Sequence, residues 1–257
     1  MDLAGRGVAV TGGGGHLGRA MSLALAEAGA TVVACGRTAE RLEAVAAEGR
    51  ERGLAGRIVA VVADVSTDAG LGAVIGALER EAGTVSGWVN NAYAGTSELL
   101  GSLTRAGIES ALGGGLIDVM LATQAVAERM SSGGSIVNIA SMYGLVSPQP
   151  AAYAATPAMH NPPAFGAAKA GVVSFTRYAA VHLAERGIRV NCISPGAFPG
   201  EAVQEDAAFV AELAGRTPLG RIGRPEELGG AVVYLVGDAS SFVTGANLVV
   251  DGGWTAW

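Results

Sequence analysis

Between residues 11 and 18 the chain reads Thr11-Gly12-Gly13-Gly14-Gly15-His16-Leu17-Gly18, joining a short β-branched run at residues 8–10 to an apolar helical pattern that begins at residue 19. Glycine lets the backbone turn tightly and approach a pyrophosphate, whose charge is met by free N–H groups and the positive end of the helix dipole. A glycine loop alone is a weak signal, since glycine also makes structural turns. A glycine loop that directly follows the first strand is a strong signal, and it predicts a strand–loop–helix unit that binds a dinucleotide.

Short β-branched runs alternate with longer helical stretches along the rest of the chain. The runs show little alternation of polar and apolar residues, which is typical of strands buried on both faces of a parallel sheet. We predict strands at residues 8–10, 31–34, 58–63, 88–90, 135–140, 189–193 and 248–250. Helices are predicted at residues 19–28, 39–52, 71–81, 165–186 and 225–236, with another that ends near residue 130. Repeated βα units without a linker predict a single doubly wound α/β domain over residues 1–257, with a parallel sheet of about seven strands and helices on both faces.

Composition argues against several classes of function. The 257 residues carry a formal net charge of -6 without a Lys/Arg cluster, so neither a nucleic acid nor an anionic membrane surface is an expected partner. Neither a cleavable leader nor an uninterrupted apolar segment of spanning length is evident, and the two cysteines, Cys35 and Cys192, lie in apolar runs. We therefore expect a soluble, cytoplasmic protein. The histidines lack the spacing of metal ligands, so no metal site is expected.

Two segments interrupt the regular alternation, at about residues 144–164 and 197–217. The first is rich in proline, which excludes regular helix and central strand, and the second contains a short helical patch at residues 207–214. Both follow the carboxyl ends of predicted strands, where open α/β sheets bind their ligands. We expect them to be substrate loops, although ordinary surface excursions would give the same pattern.

Further residues match a known family in order along the chain. These are Asp64 after the third strand, Asn90-Asn91-Ala92 after the fourth, Ser141 after the fifth, Lys169, and the segments 189–196 and 245–253. With the glycine loop, they resemble the short-chain dehydrogenase/reductase family over essentially the whole chain. The resemblance implies a Rossmann-like sheet with a nicotinamide dinucleotide across its carboxyl edge, and an oxidoreductase acting on a small or medium-sized carbonyl or alcohol.

The resemblance also implies which residues contact the cofactor. Asp64 and Val65 would flank the adenine, Asn90 and Ala92 would support the adenosine ribose side, and Pro195-Gly196 would border the nicotinamide. The other implied cofactor residues are Gly12, Gly14, His16, Leu17, Gly18, Arg37 and Lys169.

Gly36-Arg37 stands at the end of the second strand, where NAD-selective relatives usually carry an acid for the ribose 2′-hydroxyl. Glycine followed by a guanidinium accommodates a 2′-phosphate better. We therefore expect NADP rather than NAD, although Arg37 could also do no more than cap the strand.

The sequence departs from the family at the residue that exchanges the proton. A tyrosine normally precedes the lysine by four residues, so that the ammonium lowers the phenol pKa while a serine positions the carbonyl. Here Ser141 and Lys169 are present, but the tyrosine position holds Phe165. Losing a positioned acid or base typically reduces the rate about 10²- to 10⁴-fold, so carbonyl reduction should be impaired. Gly115 and Gly200 also stand where the family usually has asparagine and threonine.

Three explanations of Phe165 compete. It is an engineered substitution in an ordinary reductase, or the chain is a divergent enzyme that performs isomerisation, dehydration or carbon–carbon bond formation, or it is a catalytically silent dinucleotide-binding protein. If proton transfer persists, the candidate groups are Tyr153 and His160 in the proline-rich segment, because an imidazole titrates near neutral pH and either side chain would reach the cofactor if that segment folds inward. A simpler interpretation is that Tyr153 and His160 are ordinary packed or solvated side chains without a catalytic role.

We also expect a homodimer or homotetramer, because family members usually assemble through the fourth and fifth helices and the C-terminal strand region. The small residues of the predicted helix 165–186 permit close helix approach. Trp254 and Trp257, in a short aromatic tail, would otherwise be exposed.

Overall fold

Seven β-strands and nine α-helices alternate through residues 1–130 and 133–257, the part of the chain that the computed structural model describes. The strands are β1 (Gly7–Thr11), β2 (Thr31–Gly36), β3 (Arg57–Val62), β4 (Gly87–Asn90), β5 (Gly134–Ile139), β6 (Ile188–Pro195) and β7 (Asn247–Val250). The helices are α1 (His16–Glu27), α2 (Ala39–Glu51), α3 (Asp68–Ala82), α4 (Arg105–Leu112), α5 (Asp118–Ala127), α6 (Pro163–Leu183), α7 (Glu201–Gln204), α8 (Ala207–Gly215) and α9 (Glu227–Val236).

The strands form one parallel sheet in the order β3-β2-β1-β4-β5-β6-β7. The chain winds outward from β1 to β3, returns to pair β4 with the other edge of β1, and then winds the opposite way. The order therefore reverses between β1 and β4, and a crevice opens there at the carboxyl ends of the strands. This topology confirms the predicted doubly wound α/β domain with seven parallel strands.

Apolar side chains cover both faces of the sheet, as the uninterrupted runs predicted. Along β1, Val8 and Val10 pack in a cluster with α1, α2 and α9, whereas the intervening Ala9 packs in a second cluster with α3, α5 and α6. Successive strand residues point to opposite faces, so a strand buried on both must be apolar throughout. The two clusters hold the strand ends rigidly where the site is built.

The predicted elements are present with shifted ends. α6 begins at Pro163 and ends at Leu183, where the residues from Ala184 to Arg186 continue as a 3-10 turn. The helical patch predicted at residues 207–214 is α8, whose first turn is capped by the Asp206 carboxylate accepting from the N–H of Phe209. The one-turn helix α7 was not predicted, because it is too short to show a period.

Helices α4 and α5 are joined through a π-helical turn, Gly113–Ile117, into the continuous stretch Arg105–Ala127. Among the described residues, this stretch alone is long and apolar enough to cross a membrane by length and composition. It carries Glu109 and Asp118, and part of it is buried inside the fold. Such a segment is weak grounds for a membrane span, because core helices of soluble proteins pass the same test.

Candidate cofactor and substrate site

The glycine loop takes a shape that only glycine supports. Gly12 has a φ of +64°, in the left-handed region that favours glycine. A Cβ built on Gly18 would overlap the carbonyl oxygen of Gly12, and one on Gly14 would lie 3.0 Å from Arg41 Cβ. The loop therefore brings bare backbone to the start of α1, as a phosphate-binding turn requires.

Two side chains tie this loop to the end of β4. The hydroxyl oxygen of Thr11 accepts hydrogen bonds from the N–H groups of Asn91 and Ala92, each at 2.9 Å. The Asn91 amide donates to the carbonyl oxygens of Thr11 at 2.8 Å and Gly12 at 3.3 Å. These bonds fix the relative position of the two loops that flank the crevice.

A first cavity of about 300 Å³, the glycine-loop cavity, lies between the ends of β1, β2 and β3. Its lining includes the predicted cofactor residues Gly12, Gly14, Arg37, Asp64, Val65, Asn90 and Ala92. Arg41 also lines it, and neither Arg37 nor Arg41 makes an ion pair with any residue that the structure describes. Two guanidiniums without an ion-pair partner in the described part of the chain thus line this cavity, Arg37 just after β2 and Arg41 in the first turn of α2.

Two carboxyl groups share this cavity and differ in acidity. Hydrogen bonds from the Ser66 hydroxyl and N–H hold the pKa of Asp64 below its usual value. Burial raises the pKa of Asp118, and the nearby charge of Asp64 adds to that effect. The end of β2 itself carries no acid, since Gly36 and Arg37 occupy it.

A second cavity of about 530 Å³, the lysine cavity, lies over the ends of β5 and β6. Its lining brings together the predicted residues Leu17, Ser141, Tyr153, Phe165, Lys169, Pro195 and Gly196. Both irregular segments contribute, through Met159 and Asn161 from the first and Phe198, Val203 and Phe209 from the second. Apart from the lysine, the wall is uncharged.

Ser141 and Lys169 are buried polar groups on this wall. The Ser141 hydroxyl oxygen accepts the N–H of Tyr143 at 3.1 Å, so its own proton remains to be donated elsewhere. Lys169 is 4% exposed and donates from Nζ to the carbonyl oxygen of Ile139 at 2.8 Å. Burial lowers the pKa of Lys169 to about 8, which brings its titration close to neutral pH.

Two aromatic rings lie beside the lysine. The Phe165 ring lies on α6 one turn before Lys169, with its centroid 5.8 Å from Nζ. The Tyr93 ring meets Phe165 edge-on at 5.1 Å between centroids, and its own centroid is 5.3 Å from Nζ. Tyr93 was not predicted as a site residue, because a single aromatic residue in an irregular segment gives no signal of where its ring will pack.

Other phenols lie at the far side of the lysine cavity. The hydroxyls of Tyr143 and Tyr153 hydrogen-bond to each other, and the Asn161 amide donates to Tyr153 Oη at 3.2 Å. Burial raises the pKa of Tyr143 far above its usual value, and the bond to Tyr153 adds to this. Tyr143 therefore stays neutral, and its hydroxyl pair with Tyr153 is suited to hydrogen-bonding a substrate oxygen.

Three predicted residues lie outside the linings of both cavities. His160 packs its ring 4.7 Å from that of Tyr153, and its Nδ1 lies 2.9 Å from the carbonyl oxygen of Asn161. His16 and Gly18 lie in the first turn of α1, and the buried Nε2 of His16 has no hydrogen-bond partner among the described residues. Within residues 1–130 and 133–257 there is also no cluster of side chains that could hold a metal ion.

One expectation about the C-terminus is wrong. Trp254 is 3% exposed and packs within its own chain, in the cluster that contains Tyr143, Tyr153, Phe209 and Leu213. It therefore needs no partner chain to cover it. Trp257, by contrast, is 79% exposed.

A parallel sheet with a glycine loop at its reversal point and cavities along its carboxyl edge defines the Rossmann-type class of protein. Comparison with known proteins narrows this class. A family model described as enoyl-(acyl carrier protein) reductase matches residues 15–255. The chain belongs to the short-chain dehydrogenase/reductase family, whose members use NAD or NADP.

Individual relatives cover nearly the whole chain. The cis-4-hydroxycyclohexanecarboxylate dehydrogenase of Sinomonas cyclohexanicum is 38% identical over 251 residues, covering 96% of this chain and 95% of the relative. The 3-oxoacyl-(acyl-carrier-protein) reductase of Thermotoga maritima is 32% identical, covering 98% and 99%. A solved structure of a short-chain type dehydrogenase/reductase from Mycobacterium marinum has a TM-score of 0.88 at 33% identity, covering 100% and 98%.

Proposed function

We propose that this chain binds a nicotinamide dinucleotide and transfers hydride between it and the carbonyl or alcohol carbon of a small or medium-sized substrate. The observation that carries the proposal is that Ser141 and Lys169 line the same cavity as Pro195 and Gly196. This arrangement puts a hydroxyl donor and a buried cation beside the strand end that borders the nicotinamide in the family.

The glycine loop suits the phosphates of such a cofactor, because Gly12 adopts a φ of +64° and the loop presents bare backbone at the start of α1. The bound dinucleotide supplies the hydride. Its phosphates would be held at the loop, its adenine by Asp64 and Val65, and its nicotinamide half by Lys169, Pro195 and Gly196.

We propose that NADP is preferred over NAD. Arg37 and Arg41 are exposed guanidiniums on the glycine-loop cavity, and a planar guanidinium binds phosphate with paired hydrogen bonds. The absence of an acid at Gly36 removes the usual acceptor for a free 2′-hydroxyl.

The chain's own residues supply part of the remaining chemistry. Ser141 donates its free hydroxyl proton to the substrate oxygen and so orients the reacting carbon. The Lys169 ammonium stabilises negative charge on that oxygen in a cavity that is otherwise uncharged. Phe165 contributes a ring without an exchangeable proton, so proton transfer limits turnover.

The presence of Phe165, which has no exchangeable proton, is also compatible with two functions other than hydride transfer. A site that holds Ser141 and Lys169 without the family's acid suits non-redox chemistry such as isomerisation, dehydration or carbon–carbon bond formation. A catalytically silent dinucleotide-binding protein is the third possibility. If proton transfer persists, Tyr153 is the better placed of the two predicted substitutes, because it lines the lysine cavity whereas His160 only packs behind it.

We further propose a cytoplasmic homodimer or homotetramer that acts on a small molecule and binds neither nucleic acid nor membrane. Exposed apolar side chains on the helical stretch 105–127 and on α6 support assembly, among them Ile117, Leu121, Tyr178 and Val181. Light scattering at micromolar concentration tests it, and a monomer would refute the assembly.

The experiment that tests the function follows reduced nicotinamide during incubation with NADP and a panel of alcohols, then with reduced NADP and the matching ketones. Hydroxycyclohexanes belong in the panel because the 38% identical relative is named for one. We expect slow turnover that is lost in Ser141→Ala at unchanged NADP affinity. Intact cofactor binding without turnover of any substrate would favour the non-redox or silent alternatives.

A further inference from the structure

The glycine-loop cavity and the lysine cavity meet at one side chain. Among the residues that the structure describes, Tyr93 is the only one that lines both. It follows Asn90, Asn91 and Ala92 directly after β4, at the point where the strand order reverses. A ligand that extends from the glycine loop to Pro195 and Gly196 must therefore pass the Tyr93 ring.

The fold holds this ring in a fitted slot. A Cβ on Gly95 would overlap the Tyr93 hydroxyl, and a Cβ on Gly115 would lie 3.0 Å from Tyr93 Cε2. Phe165 packs edge-on against the ring, and the Lys169 ammonium faces it. Two glycines, an aromatic ring and a cation thus lie against the covered side of the tyrosine, while 37% of the residue is exposed.

The slot places the ring against the group that the nicotinamide half needs. Lys169 Nζ faces the rings of Tyr93 and Phe165, and the hydrogen bond it makes within the described chain goes to the Ile139 carbonyl. A ribose that bonds to Lys169 would compete with the Tyr93 ring for this space. The glycine-loop cavity, by contrast, is lined mainly by residues other than Tyr93, among them Gly12, Arg37 and Asp64.

We propose that Tyr93 is a specificity-determining residue that separates the two halves of the ligand site. An adenosine nucleotide binds the glycine-loop cavity with the ring in its slot, whereas a full dinucleotide binds only when the ring leaves it. This proposal rests on the proposed dinucleotide site. The proposal predicts that the side chain at position 93 sets the ratio between the affinity for an adenosine nucleotide and the affinity for a full dinucleotide.

The expected change in dinucleotide affinity follows from the contacts that the Tyr93 ring loses when it leaves its slot. An edge-on aromatic pair and a cation–π contact are both modest interactions, and a binding-competent state that is populated one-tenth of the time weakens apparent affinity about tenfold. Removal of the ring should therefore tighten binding of the full dinucleotide about tenfold. Binding of the half ligand should stay within about twofold, since Tyr93 supplies only a small part of the lining of the glycine-loop cavity.

The experiment is calorimetric titration of the whole protein with NADP and, separately, with adenosine 2′,5′-bisphosphate. The variants are Tyr93→Ala and the matched control Tyr93→Phe, which keeps the ring and removes only the hydroxyl. Tyr93 is 37% exposed, so its truncation should leave the fold intact, and circular dichroism checks this. If Tyr93→Ala is unfolded, Tyr93→Leu provides the same comparison with a smaller change in packing.

We expect Tyr93→Ala to bind NADP about tenfold more tightly and the bisphosphate unchanged, with Tyr93→Phe like the native chain. An unchanged affinity ratio in Tyr93→Ala, or weaker NADP binding that shows a favourable stacking role for the ring, would overturn the proposal. If neither compound binds the native chain or any variant, the dinucleotide site itself is wrong, and the proposal fails with it for a distinguishable reason.

Discussion

The Tyr93 ring occupies the space that a side chain at Gly115 would need. A Cβ on Gly115 would lie 3.0 Å from Tyr93 Cε2 and 2.9 Å from Ala168 Cβ. The glycine at 115 and the tyrosine at 93 are therefore structurally coupled. A substitution at either position should alter the packing of the other residue.

We expect Gly115→Asn to destabilise the protein by about 1–3 kcal/mol, because the new side chain forces the Tyr93 ring and Ala168 apart. The same substitution in a Tyr93→Ala background should be less harmful, since only the contact with Ala168 remains. Urea unfolding of both single variants and the double variant measures the coupling. Additive effects would show that the two positions do not share this space.

Lys169 makes stability depend on pH. Its pKa in the folded protein is lowered by burial from 10.5 to about 8, so between those values the unfolded chain binds more protons. Its contribution is therefore most unfavourable below about pH 8 and becomes less so as pH rises. The difference in unfolding free energy between Lys169→Met and the native chain should change by roughly 3 kcal/mol across that range, in favour of the native chain at high pH. A pH-independent difference would contradict this.

Cofactor preference should follow the end of β2. We expect the native chain to bind NADP more tightly than NAD in calorimetric titrations, and Arg37→Ala to lose about tenfold or more in NADP affinity alone. Arg105→Ala, at an exposed arginine of α4 outside both cavities, is the matched control. Equal or tighter binding of NAD by the native chain would remove the argument.

Introducing an acid at the end of β2 provides an independent test of how this strand end sets the cofactor preference. A Cβ on Gly36 would meet nothing closer than 3.9 Å, so an aspartate fits there. Gly36→Asp should shift the preference toward NAD, since a carboxylate repels the 2′-phosphate and accepts from a 2′-hydroxyl. An unchanged preference for NADP over NAD in this variant would mean that another residue contacts the 2′ position of the ribose.

If the lysine cavity retains a proton-transfer group, Tyr153 is the residue to remove. Tyr153→Phe should lower turnover about 10²-fold or more, with dinucleotide affinity within about a few-fold. His160→Ala should have a smaller effect, because the imidazole lies outside the cavity lining. Tyr178→Phe, at an exposed position of α6, is the control. If turnover survives both changes, the proton comes from Ser141, Lys169, solvent or the substrate.

The sequence predicts the sheet well because burial on both faces leaves uninterrupted apolar runs, which mark each strand without knowledge of its neighbours. Ser141 and the glycine loop can be found for a similar reason, since each directly follows the end of a strand, whereas Lys169 was found through the family resemblance. The short helix α7 has no such period and was missed.

Tyr93, Arg41 and the cover over Trp254 depend on how distant segments meet. Tyr93 is positioned by Gly95, Gly115 and Phe165, which come from three separate parts of the chain. Trp254 is covered by the second irregular segment, through Phe209 and Leu213. No local pattern encodes these contacts, so the sequence alone could not predict them.

The most direct measurement is turnover of Phe165→Tyr with NADP across the alcohol and ketone panel. The substitution places a phenol one helical turn from Lys169, so we predict a gain of about 10²-fold or more at unchanged NADP affinity. No gain despite intact NADP binding would contradict a redox enzyme that lacks only its proton donor.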